Sequence, residues 1–138
     1  MTQPAPGPIP DRGTVPVKVY YEDTDCLGVV YYANYLKYFE RGRSELFAAA
    51  GRPIAEWNRL GFLVAVYKID VTFRAPARLG DELEVVTERM EGGSAYRLKL
   101  AQQVVRDGET ITEAEVHLVC LDESFELREF PPEIVPPP

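Results

Sequence analysis

Residues Val19–Leu46 read VYYEDTDCLGVVYYANYLKYFERGRSEL, and this stretch decides the fold. It continues an alternating run, Val15, Val17 and Val19, into Tyr20 and Tyr21, the pattern of a strand. Asp23, Thr24, Asp25, Cys26, Leu27 and Gly28 break the run as a turn. After Val29 and Val30 a helix is expected to start near Tyr31 to Asn34. Tyr32, Tyr35, Leu36, Phe39, Leu46 and Ala50 recur at steps of three and four, which makes one apolar stripe. Lys37, Glu40, Arg41, Arg43 and Glu45 make the wet face. Gly42 falls on the apolar side, where glycine costs about 1 kcal/mol against alanine. Close packing of the helix backbone on another element accounts for it. Gly51 and Pro53 end the helix, a flexible cap and then a breaker.

Working outward, Ile54 to Leu60 is a short amphipathic turn in which Trp57 packs and after which Gly61 stops the helix. The period then changes from 3.6 to 2. Phe62 to Arg74 reads as a long strand, with Ile69, Val71 and Phe73 on one face and Lys68, Asp70, Thr72 and Arg74 on the other. Its first half, Phe62 to Tyr67, is apolar on both faces. One face meets the helix, and a second copy of the chain is the simplest cover for the other. Ala75 to Gly80 is a turn. Glu82 to Met90 is a strand with Leu83 and Val85 inward. After the turn Glu91-Gly92-Gly93-Ser94, the next strand shows Tyr96, Leu98, Leu100, Gln102 and Val104 on one face. Asp107-Gly108 is a two-residue hairpin signal. The last strand, Thr110 to Leu121, turns Ala114, Val116, Leu118 and Cys120 inward and Glu113, Glu115 and His117 outward. The expected order is a strand, a long helix and four strands in a meander. That is an α+β fold, a five-stranded antiparallel sheet curled around one central helix. Residues 15–130 form the domain. The Pro-rich residues 1–14 and 131–138 are expected to be flexible tails.

At 138 residues the chain makes one domain. A net charge of -7 with a pI near 4.8 argues against a nucleic-acid surface. No apolar run approaches the roughly 18 residues of a membrane span, and Met1 to Thr14 has no apolar centre for a signal peptide. Cys26 and Cys120 are too few for a disulfide framework. They read as reduced thiols in a cytoplasmic protein. His117 is the only histidine, so a His-rich metal site is excluded and no metal is expected.

Asp25 is the residue that points to chemistry. It lies between a strand end and a helix start, where backbone N–H groups have no partner. Gly28 lets the backbone approach a ligand closely. A carboxylate there can act as nucleophile or general base, while N–H groups from Val30 through Tyr31 to Tyr32 face a developing oxyanion. The plainer reading of Asp25 is a helix cap. Asp23 is a rival carboxylate. Sharing a pocket with Asp25 would raise one pKa, and the simpler role is to satisfy N–H groups of the turn. Cys26 needs a base or a cation to act as a nucleophile, and His117 lies far along the chain on an outward strand position.

Residues 23–35, Asp-Thr-Asp-Cys-Leu-Gly-Val-Val-Tyr-Tyr-Ala-Asn-Tyr, followed by Tyr38-Phe39-Glu40-Arg41, resemble the signature of hotdog-fold acyl-CoA thioesterases. The resemblance covers about residues 15–130. It is to the 4-hydroxybenzoyl-CoA thioesterase family, and within it to the YbgC-type enzymes. It implies a hotdog fold, homodimers that pair into homotetramers, sites at the dimer interface, and hydrolysis of an acyl-CoA to free acid and CoA without metal or separate cofactor. By position, Asp25 matches the family's catalytic aspartate and the backbone N–H of Tyr32 its oxyanion donor. Asn34 and Tyr35 match positions that shape the turn and core. Many YbgC-type members carry His where this chain has Tyr32. A backbone donor survives that change, whereas an imidazole role does not. Gly28, Val30, Tyr31 and Tyr67 are candidates to line the acyl site, and Arg97 and Lys99 to meet the CoA phosphates. Arg74, Arg78 and Arg106 are further basic candidates. Glu91-Gly92-Gly93-Ser94 stands where the 4-hydroxybenzoyl enzyme has a basic turn. Two alternatives share the fold: a hydratase or dehydratase, which would pair its acid with a histidine, and a non-catalytic acyl-ligand-binding protein.

Overall fold

The structure, a computed structural model, describes residues 7–136. The chain runs β1 (Arg12–Lys18), a 3-10 turn (Tyr21–Asp23), a second 3-10 turn (Tyr32–Asn34) and α1 (Tyr35–Ala48). It continues through α2 (Ile54–Arg59), β2 (Leu63–Phe73), β3 (Glu82–Arg89), β4 (Arg97–Arg106), β5 (Glu109–Leu121) and β6 (Leu127–Arg128). One long helix lies on one antiparallel sheet. The spatial order is β1-β3-β4-β5-β2, and the two-residue β6 pairs with β5 as a sixth strand beyond the five expected.

The expected four-strand meander holds only for β3, β4 and β5. β2 pairs with β5 at the far edge, Ile69 opposite Val116 and Val71 opposite Ala114, and not with β3. The connections explain the difference. β4 and β5 are joined by Asp107-Gly108, both with positive φ (50° and 79°), as a two-residue hairpin requires. The connector between β2 and β3 closes no hairpin. It turns to the helix start, where Ala77 accepts from Val30 N–H at 2.8 Å and donates to Tyr35 Oη at 3.1 Å.

The buried face of α1 is Tyr35, Tyr38, Phe39, Gly42, Arg43, Leu46 and Phe47. This shifts the expected stripe. Tyr32 precedes the helix, and Leu36 is 43% exposed while Tyr38 is fully buried. Arg43, expected on the wet face, is buried and donates to Gln102 Oε1 at 2.9 Å. Gln102 Nε2 donates in turn to Phe39 O and Thr87 Oγ1, at 2.9 and 2.8 Å. On the sheet the inward residues are as expected: Leu83 and Val85, Leu98, Leu100 and Val104, and Ala114, Val116, Leu118 and Cys120. Tyr96 falls just before β4 and is exposed.

Gly42 is the point of closest helix–sheet approach. A Cβ there would sit 2.7 Å from Thr87 Oγ1 and 2.8 Å from Val85 Cγ1. Gly42→Ala gains about 1 kcal/mol of helix propensity and sets against it an overpacking cost of about 1–3 kcal/mol. Denaturant unfolding is expected to show a net loss of about 1 kcal/mol. A more stable variant would mean that the helix has room to lift.

The domain is longer than residues 15–130 at both ends. β1 starts at Arg12 inside the segment expected as a tail, and Ile9 and Ile134 are buried, with Ile9 N–H donating to Glu133 O at 2.9 Å. Apolar side chains among the prolines supply the reason. The outermost parts of the expected tails, residues 1–6 and 137–138, lie outside the described residues.

Candidate functional site

The motif turn is a small hairpin. Thr24 and Val30 form a β-bridge, and Asp25 N–H donates to Val29 O at 2.9 Å. Gly28 closes the tip, its N–H donating to Asp25 O at 3.1 Å with φ at +78°. A residue with a side chain is strained at that φ. Asp25 Oδ1 accepts Leu27 N–H at 2.8 Å, which fixes the carboxylate on its own turn. Oδ2 accepts no hydrogen bond among the described residues. Asp25 is thus an Asx-turn residue, half-buried, with one oxygen unengaged.

The three expected oxyanion donors separate. Val30 N–H is bound to Ala77 O and Tyr31 N–H to Asp23 O, at 2.8 and 2.9 Å. Tyr32 N–H opens the 3-10 turn that leads into α1 and has no acceptor among the described residues. Helix starts favour negative charge near such groups.

Beside this helix start runs an apolar groove of about 280 Å³ lined by Val30, Tyr32, Tyr35, Phe73, Arg74, Ala75 and Pro76. Its aromatic wall is built by contact, with ring centroids 4.8 Å apart for Tyr31 and Tyr32, 6.4 Å for Tyr32 and Phe73, and 5.6 Å for Tyr35 and Phe73. Edge and tilted contacts of this kind hold rings in place. Asp25 does not line the groove but shares its hairpin with Val30, which does. Pro76 of the lining is held by Arg106, which donates to its main-chain oxygen at 2.9 Å and pairs with Asp81 at 2.8 Å. The Asp81 carboxyl is held below its usual range chiefly by the Arg78 N–H and further by Arg106.

The remaining expected residues lie elsewhere. Arg97 stacks on Tyr67 at 4.8 Å, and Lys99 is opposite His117, on strand positions that point away from α1. Val119 pairs with both Ala65 and Arg97, whereas Phe73 pairs with Thr112. Seven residues of strand separate the two levels, about 23 Å. One chain therefore does not bring Tyr67, Arg97 and Lys99 to the groove. Arg74 and Arg106 are engaged with Glu113 and Asp81. Among the named basic residues Arg78 is nearest the motif turn, bridged through its backbone to Val29. Cys26 is free and exposed. His117 Nε2 lies 3.1 Å from Glu115, on the face of β5 that turns away from the helix.

The profile of the Thioesterase-like superfamily matches residues 19–136. The chain is 43% identical over 112 residues to the acyl-CoA thioester hydrolase YbgC of Escherichia coli O6:H1, covering 78% of this chain and 80% of that protein. It is 39% identical to the acyl-CoA thioesterase YbgC of Haemophilus influenzae over 81% of this chain and 83% of that one. The crystal structure of a probable thioesterase from Bartonella henselae superposes with a TM-score of 0.83 at 27% identity, covering 87% and 99% of the two chains. The chain belongs to the thioesterase-like superfamily, on its YbgC-type acyl-CoA thioesterase branch, and its fold is the hotdog fold. No helix among the described residues is long and apolar enough to cross a membrane.

Proposed function

We propose that the chain hydrolyses an acyl-CoA thioester to a free acid and CoA at the helix start, with Asp25 and the Tyr32 N–H as its working groups. The observation that carries this is an unclaimed N–H on the first residue of the turn into α1, a residue that lines an aromatic groove and follows the hairpin holding a carboxylate with one free oxygen. The thioester carbonyl oxygen points at Tyr32 N–H, which stabilises the negative charge of the tetrahedral stage. In one route an Asp25 oxygen attacks the carbonyl carbon, the C–S bond breaks and CoA leaves as thiolate. Water then opens the anhydride. In the other, Asp25 takes a proton from the water that attacks. A thiolate leaves readily, since thiols ionise near pH 8.5, so neither route needs a metal or cofactor. The hydratase alternative loses ground because His117 sits on the outer face of the sheet.

The active unit in this reading is a homodimer, two of which form a tetramer. β2 is an open edge, with Val66 and Tyr67 exposed at 47% and 61%. An open, apolar edge strand of this kind templates a further strand. Two β2 strands paired antiparallel about a two-fold axis set the Phe73 end of one protomer beside the Leu63 end of the other. That juxtaposition brings the Leu63 end of one β2 to the groove of the other protomer and makes the site composite, whereas Tyr67, Arg97 and Lys99 stay on the outer face of the shared sheet. Unpaired Cys26 and Cys120 fit a reducing, cytoplasmic setting.

The test is thiol release from straight-chain, benzoyl and phenylacetyl CoA thioesters, with the size of the same sample measured in solution. Release by a particle of at least twice 15.6 kDa is expected. Release by a monomer removes the composite site, and a protein that binds these thioesters without cleaving any of them is a binding module.

A further inference from the structure

Asp23 and Asn34 flank the motif hairpin and are both buried, at 5% and 7% exposure. Asp23 Oδ2 accepts Tyr20 N–H at 2.9 Å, and Oδ1 accepts Asn34 Nδ2–H at 3.0 Å. The main-chain oxygen of Asp23 accepts Tyr31 N–H at 2.9 Å. These bonds tie the chain entering the hairpin to the chain leaving it, with Asp25 in between. They also consume the Tyr31 donor, so that Tyr32 carries the first free N–H. A buried carboxylate is costly unless it is hydrogen-bonded, and here its partners are the two ends of one loop. From α1 the group facing the pair is the Tyr38 hydroxyl, buried and without a hydrogen-bond partner among the described residues. Its pKa is pushed up by burial first and by the Asp23 charge second. Arg41 lies over the Tyr38 ring at 5.9 Å.

We propose that the Asp23–Asn34 bond is a positioning clasp, which sets the Asp25 turn against the Tyr32 N–H while neither residue touches substrate. The proposal rests on the hydrolytic reading of this site. Reacting groups held on a loop lose rate steeply when they drift, about a hundredfold for about 1 Å. A clasp across the base of the loop fixes that spacing in a way that the turn's own short-range bonds do not.

The experiment is a pH profile of kcat and KM for Asn34→Asp, with Asp25→Asn and wild type run alongside and thermal unfolding followed at each pH. The variant sets two carboxylates at hydrogen-bond distance, which raises one pKa of the pair. On the acid side a shared proton keeps the clasp closed. As pH rises through the raised pKa both groups ionise, repel, and the clasp opens. In folded protein, kcat is expected to track wild type at the acid end and to fall about a hundredfold on the alkaline side, with KM little changed. The doubly exchanged variant, Asp23→Asn with Asn34→Asp, rebuilds both bonds with one charge and is expected to restore the wild-type profile. Where Asn34→Asp does not fold, Asn34→Ala carries the test. A loss of kcat of about tenfold or more in folded protein supports the clasp, and unchanged kcat overturns it. An Asn34→Asp profile parallel to wild type, with Asp25→Asn inactive, overturns the clasp alone. Wild-type hydrolysis by Asp25→Asn overturns the reading of the site and the clasp with it.

Discussion

Asp25→Asn is expected to lower kcat for thioester hydrolysis by about 10²- to 10⁴-fold, the usual contribution of a positioned acid or base. That is about 2.7–5.5 kcal/mol of transition-state stabilisation at 1.36 kcal/mol per factor of ten. The substitution isolates chemistry from folding. The amide oxygen can still accept the Leu27 N–H that Oδ1 holds at 2.8 Å, so the turn keeps its shape. What disappears is the charge and lone pairs of Oδ2, the oxygen without a partner. Neither attack on a carbonyl nor proton transfer from water survives that exchange. KM should change little, because the groove is walled by Val30, Tyr32, Tyr35 and Phe73 and not by Asp25. The Tyr32 N–H, a backbone group, also remains. Its donation alone is worth about 2.7–4 kcal/mol to a tetrahedral oxyanion, so residual rate above the uncatalysed reaction is expected. A folded variant within twofold of wild-type kcat would take Asp25 out of the reaction. With hydrolysis established, a single turnover in heavy-oxygen water shows which carbon the water attacks. Label in the Asp25 carboxylate marks the anhydride opened at its aspartyl carbon, whereas label only in the product acid means that water attacked the substrate's own acyl carbon.

What could be read in the sequence was what short-range chemistry writes there. Asp107-Gly108 announced its hairpin because positive φ at two adjacent positions selects those residues. Gly42 announced a close approach because nothing else justifies a glycine inside a helical stripe. Partnerships formed across long separations were not legible. Arg43 meets Gln102 59 residues away, and nothing near Arg43 says that a charged side chain on a helix is buried. The pairing of β2 with β5 likewise has no local mark, since an open connector carries no turn signature. The helical stripe was displaced because Leu36 is apolar yet exposed, while Tyr38 brings a hydroxyl into the core. At the site, motif position named Asp25 and Tyr32. The choice of Tyr32 over Val30 and Tyr31 as free donor needed the hydrogen bonds to Ala77 and Asp23 that only the fold supplies. Arg97 and Lys99 stand out in the sequence only by charge, and charge does not report which end of a strand a residue occupies.

Gln102→Leu is expected to cost about 3 kcal/mol of stability, more than an ordinary core substitution of equal volume. Gln102 is fully buried and joins three elements. It accepts from Arg43 on α1, donates to Phe39 O on the same helix and donates to Thr87 Oγ1 on β3. Leucine fills the space and serves none of these groups. The severe loss is at Arg43. Burial already pulls its pKa down, against a partial pull upward from Glu40. Removing one partner of a buried charge costs about 3–5 kcal/mol. The lower figure applies here because Glu40, largely exposed, still pairs with the guanidinium. At about 4 °C per kcal/mol for a chain of this length, Tm should fall by roughly 10 °C. Adding Arg43→Met removes the stranded charge and should recover part of the loss, giving a double variant less damaged than the sum of its singles by about 1 kcal/mol or more. Strict additivity, or a Gln102→Leu loss under about 1 kcal/mol, would mean that apolar packing around Gly42 seats the helix without the polar network. A coupled result would place the seating of α1 in bonds that no stretch of sequence contains, two helical residues and two strand residues drawn together by the sheet order.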